Sequence, residues 1–166
     1  MAQIASEQRV AQLVTVLGEL KRLHDELAIV VQRKLDAMRA ANADAIRSTC
    51  SREEFLAQKI REQDGLRRQL LELVGTQMGL AGEVARAMTV TELADRVGEP
   101  ARSRLLVLAA ALRERVQATA DTNRVVGLVS HEMLKHFRQV YGVMAEANRA
   151  PGLYSRRGRN ENPAIT

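Results

Sequence analysis

Aromatic residues are nearly missing from this chain. Its 166 residues include two Phe, two Tyr and no Trp. A thick α/β core draws on more rings and on strands punctuated by Gly, so the shortage favours long helices packed through aliphatic side chains. Cys50 is the single cysteine, which excludes an internal disulfide and fits a reducing compartment. Only Pro100, Pro151 and Pro163 interrupt the chain as helix breakers. The longest apolar run, Leu105–Leu112, has eight residues, whereas a transmembrane helix needs about 20. No basic segment leads into an apolar stretch at the N-terminus, so no secretory signal is read. A cytoplasmic location is expected, with no membrane insertion.

What is present is the composition of a folded domain: 46% hydrophobic and 27% charged residues. The net charge of +5 is unevenly spread. Residues 101–166 carry eleven basic and five acidic side chains, whereas residues 51–100 carry seven and nine. The excess reaches into the tail YSRRGRNENPAIT. Such a tail either meets nucleic acid, anionic lipid or an acidic protein face, or is simply solvated.

Apolar residues in the first segment alternate at four and three: Leu13, Leu17, Leu20, His24, Leu27, Val31, Lys34, Met38, Ala41, Ala45. That period describes a coiled-coil seam. Val16, Leu23 and Val30 widen it, as contact with two neighbours requires. A helix over about 4–47 is predicted. Ser51 and Glu54 have capping-box spacing, so a second helix is predicted over 52–74, about half as long as the first. Gly75, Gly79, Gly82 and Gly98 mark 75–99 as a flexible connector with short helical pieces, and Thr89 with Glu92 predicts a further capping box. Pro100 opens a third helix, about 100–147. Its seam runs Leu105, Ala109, Leu112, Val116, Thr119, Asn123, Val126, Ser130, Met133, Phe137, Val140, Met144 without a slip. Pro151-Gly152 ends it.

The expected fold class is all-α: an elongated antiparallel three-helix bundle, coiled-coil-like, with a short helical connector and a mobile C-terminal tail. Residues 1–150 form the helical domain and 151–166 a disordered basic tail. A half-length second helix would leave part of helices 1 and 3 uncovered, an opening for a foreign helix.

Signs of catalysis are sparse. His131 and His136 in HEMLKH are five apart and point about 140° away from each other, whereas a zinc pair needs a spacing of four. GTQMGLAG lacks the Lys-Ser/Thr of a phosphate loop and follows a helix. Cys50 has no base beside it in sequence. Glu53-Glu54 reads as charge complementing a helix N-terminus. No catalytic residue, metal ligand or cofactor is assigned, and the chain is not expected to be an enzyme. Helix 3 spreads its arginines around its circumference and offers few rings for base stacking, so nucleic-acid binding is not expected.

ATADTNRVVGLVSHEMLKHF, residues 118–137, and GLYSRRGR, residues 152–159, resemble the FlgN family of flagellar type III export chaperones. Asn123 fits the family's Asn, Leu128 and Leu134 its spaced aliphatics, and Tyr154 and Gly158 its tail. LAQKIREQDGLRRQLLELVG, residues 56–75, looks like the family's second helix. Gly127 stands near where many members have another Asn. The resemblance implies a cytoplasmic chaperone that binds the amphipathic C-terminal segment of hook–filament junction proteins (flagellar hook-associated proteins). It would prevent their premature association and bring them to the flagellar export apparatus. No cofactor is implied. Asn123, Val126, Ser130, Met133, Phe137 and Tyr141 become the candidate partner-binding residues. Tyr154 and Gly158 become candidates for docking at the export gate. The alternatives are a self-associating coiled-coil scaffold, or a weak nucleic-acid or lipid binder using the basic last third.

Overall fold

The computed structural model describes the backbone of residues 2–149 and the side chains of residues 7–146. It is all-helical over that span. Helix α1 is Ala2–Arg39, α2 Ala43–Gln77, α3 Gly82–Ala87, α4 Val90–Ala94 and α5 Ala101–Arg149. The chain divides into two compact units, Met1–Val129 and Ser130–Thr166, and the division falls inside α5. The expected mobile tail, 151–166, lies outside the described residues.

In the first unit α1, α2 and the start of α5 run up, down and up. Leu13, Leu17 and Leu20 of α1 share a core with Leu71 and Val74 near the end of α2 and with Leu105 near the start of α5. Leu23 and Val30 meet Leu56 further along. Val31 and Leu35 meet Val126 beyond that. Leu13 and Val31 are wholly buried and Leu17 nearly so, as the four-three seam predicts. Each such side chain contributes about 1.5–3 kcal/mol by leaving water. The two polar seam positions behave differently. Lys34 reaches across to the carboxylate of Glu53 on α2, the two side chains being 13% and 22% exposed. His24 is half-buried, and its Nδ1 has no hydrogen-bond partner among the described residues.

The first helical boundary differs from expectation. α1 ends at Arg39 rather than near residue 47, and α2 starts at Ala43 rather than Arg52. The turn is a Schellman motif. Ala41 adopts φ 50°, its N–H donates to Met38 O at 3.0 Å, and the Asn42 N–H donates to Ala37 O at 3.0 Å. Asn42 then caps α2, its Oδ1 accepting from Ala45 N at 3.0 Å. Ser51 is therefore inside a helix, where its hydroxyl donates to Arg47 O at 3.3 Å, and the box expected with Glu54 does not form. Consequently α2 has 35 residues against 38 in α1. The half-length middle helix, and the opening derived from it, are not what the fold contains.

The connector is more firmly placed than its glycines suggest. Met88, Val90, Leu93 and Ala94 are buried in the same core as Leu13 and Leu105. The Thr89–Glu92 box forms as expected: Thr89 Oγ1 accepts from Glu92 N at 3.2 Å, and Glu92 Oε2 accepts from Thr89 N at 2.7 Å. Gly79 ends α2 at φ 80°, a conformation that favours Gly. α5 begins at Ala101, one residue after Pro100.

Candidate functional site

Past Leu112 the grip on α5 loosens. Thr119 and Val126 are the buried residues among those described there. Thr119 answers its own polarity locally, its hydroxyl donating to Arg115 O at 2.8 Å. One ion pair helps: Arg115 Nε stands 2.7 Å from Asp25 Oδ1 on α1. The seam thus splits into two rows. Leu105, Thr119 and Val126 are buried and Leu112 is half-buried, consecutive members of the row lying seven residues apart. Val116 and Asn123, from the other row, are exposed.

This distribution sorts the candidate partner-binding residues. Val126 is 5% exposed and belongs to the core with Val31 and Leu35. Asn123 is exposed on the first unit. Ser130, Met133, Phe137 and Tyr141 all fall in the second unit. There Ser130 and Met133 are half-buried, while Phe137 is 51% and Tyr141 69% exposed. Tyr154 and Gly158 lie outside the described residues.

Sequence reading placed Leu134, Val140 and Met144 on the seam or among the aliphatics but not among the partner-binding residues. Leu134, Val140 and Met144 are large, apolar and exposed. Spacings of three and four place Met133, Leu134, Phe137, Val140, Tyr141 and Met144 within a sector about 120° wide on α5. The signal was legible in the sequence, because Leu134 and Tyr141 are one heptad apart beside the seam. Chemically the stripe offers apolar surface, a flexible thioether at either end and two rings. His131, Glu132 and Lys135 are exposed. Among the described residues there is no cluster of His, Cys, Asp and Glu able to hold a metal ion. Among them, too, no helix is long and apolar enough to cross a membrane.

Comparison with curated proteins gives no match, and comparison with solved structures gives none either. The family model described as FlgN protein, however, matches residues 1–162, which takes in all five helices. That span includes the packed core and the exposed stripe alike, so the chain belongs to the FlgN family of flagellar export chaperones.

Proposed function

We propose that this chain is a cytoplasmic chaperone for hook–filament junction proteins. It binds the amphipathic C-terminal segment of such a client through α5, keeps that segment from associating early, and delivers it to the type III export apparatus. The observation that carries this reading is the exposed apolar stripe from Met133 to Met144. An amphipathic client helix needs an apolar partner while it waits, and the stripe supplies one at helical spacing. Phe137 and Tyr141 act as the anchors, because rings give large contact area at small entropic cost. Met133 and Met144 adapt to clients of different shape. Tyr154 and Gly158 serve the later step, docking at the export gate.

The test is titration of the full chain with a peptide of the junction protein's C-terminal segment. Phe137→Ala with Met133→Ala is expected to weaken binding at least about tenfold while helicity and melting temperature hold. Removing residues 152–166 is expected to spare peptide binding and impair export of the client. A double variant that binds the peptide as well as the parent chain would overturn the site. A parent chain that ignores the peptide and instead forms a tight homodimer would overturn the function in favour of the scaffold.

A further inference from the structure

A cavity of ≈ 550 Å³ opens in the first unit, lined by α1, α2, α4 and α5. Its apolar lining includes Leu17 and Leu20 from α1, Ile60 from α2, Val90 from α4, and Leu112 and Val116 from α5. Val116 belongs to the exposed seam row and is 42% exposed. The volume is in the range of sites that hold a ligand or the anchoring side chains of a peptide.

The charged lining is one-sided. Arg61, Arg67, Arg68 and Arg113 border the cavity and Asp64 is the single carboxylate on it. Asp64 is shared, its oxygens lying 2.8 Å from Arg67 Nε and 2.5 Å from Arg68 Nη2. Arg61 donates to the neutral side chain of Gln58 at 2.9 Å. Arg113 has no carboxylate partner among the described residues. Four guanidinium groups against one carboxylate leave a strong positive excess over an apolar floor. Such a field attracts carboxylates and raises their rate of arrival.

We infer that this cavity is a second docking site, distinct from the α5 stripe, and that its occupant is an acidic amphipathic segment of a partner protein. Apolar side chains of that segment enter between α2 and α5, and flanking Asp or Glu residues meet Arg61 and Arg113. Nucleic acid suits the site poorly, because no Phe, Tyr or Trp lines it for a base to stack on. The flat face of a membrane suits it poorly as well, because its apolar groups sit at the base of a cleft between helices. This inference stands apart from the client reading and does not use residues 130–149.

The test uses the full chain and a synthetic helical peptide with Leu at i, i+3, i+4 and i+7 and Glu on both flanks. A peptide of the same pattern with Lys in place of Glu is the control. The Glu peptide is expected to bind, the Lys peptide not, and affinity is expected to fall as salt rises. Arg61→Glu with Arg113→Glu is expected to reduce affinity by about tenfold or more without lowering the melting temperature. Val116→Asp tests the floor on an exposed position and is expected to weaken binding in the same way. Phe137→Ala is expected to leave binding of the Glu peptide unchanged, which separates this site from the stripe. Equal binding of both peptides, or full affinity in the double arginine variant, would overturn the inference. So would a preference for an oligonucleotide or an anionic phosphatidylserine vesicle over the Glu peptide. Occupation of the cavity by a second copy of the chain, seen as a dimer that Val116→Asp dissolves, would overturn it too.

Discussion

Gly75 on α2 lies against Ala85 on α3 with no room for a side chain between them. A Cβ on Gly75 would stand 3.0 Å from Ala85 Cβ, 3.1 Å from its Cα and 3.2 Å from Met88 Cε. The approach lets the connector fold back onto α2 and carry Met88 into the core. Gly75→Leu is therefore expected to lower stability by about 1–3 kcal/mol, the usual cost of forcing volume into a packed site. Gly65, also on α2, has nothing within 4 Å of its would-be Cβ. Gly65→Ala is expected to raise stability by up to about 1 kcal/mol through helix propensity alone. Urea denaturation of the two variants checks the contrast.

The left-handed residues at the ends of α1 and α2 predict opposite outcomes for opposite exchanges. Ala41 holds φ 50° at the end of α1, and Gly79 holds φ 80° at the end of α2. A Cβ in the left-handed region costs roughly 1–2 kcal/mol. Ala41→Gly is expected to stabilise the protein by about 1 kcal/mol, and Gly79→Ala to destabilise it by a similar amount. Thermal melts that moved both variants in one direction would contradict this account of the turns.

Ion pairs should differ sharply in value. Lys34 and Glu53 are largely shielded, whereas Arg47 and Asp44 sit 3.0 Å apart with side chains 77% and 92% exposed. Glu53→Gln strands a shielded ammonium and is expected to cost on the order of 2 kcal/mol. Asp44→Asn is expected to cost under about 1 kcal/mol. Denaturation midpoints at matched salt give both numbers.

His24 gives the fold a dependence on acidity. Burial depresses its pKa below the ordinary 6.5, an effect the charges of Asp25 and Asp64 only partly oppose. The folded state thus resists a proton that the unfolded chain accepts readily. Stability from this residue is complete above the ordinary value and declines as pH falls from there toward the depressed one. His24→Leu is expected to flatten that decline between neutral and mildly acid pH, read as melting temperature against pH. An unchanged slope would place the effect elsewhere.

Much of this fold could be read from the chain. The Leu13, Leu17 and Leu20 seam, the Thr89–Glu92 box and the start of α5 after Pro100 are local patterns with local causes. The turn at residues 40–42 could not be read, because Ala41 takes a conformation usually signalled by Gly and no Pro follows. Ser51 and Glu54 imitated a cap inside what is one continuous helix, so the expected α2 lost its first turns from Ala43 onward. The packing of Met88, Val90 and Leu93 depends on contacts with residues far away in sequence, so the glycines around them suggested looseness instead. Val126 and Val140 occupy the same row of the seam, yet one is buried and the other exposed. Periodicity says which residues share a face, and only the neighbouring helices decide where along that face cover runs out.

The loosening of α5 past Leu112 should be visible in time as well as in space. Backbone amides near Leu105 open only with the whole bundle, since that side chain is enclosed by α1, α2 and α4. Towards Val126 two anchoring side chains remain, and after Val129 the large apolar groups mostly face water. Deuterium uptake is therefore expected to climb stepwise along this one helix, with a captured client slowing it at the far end first.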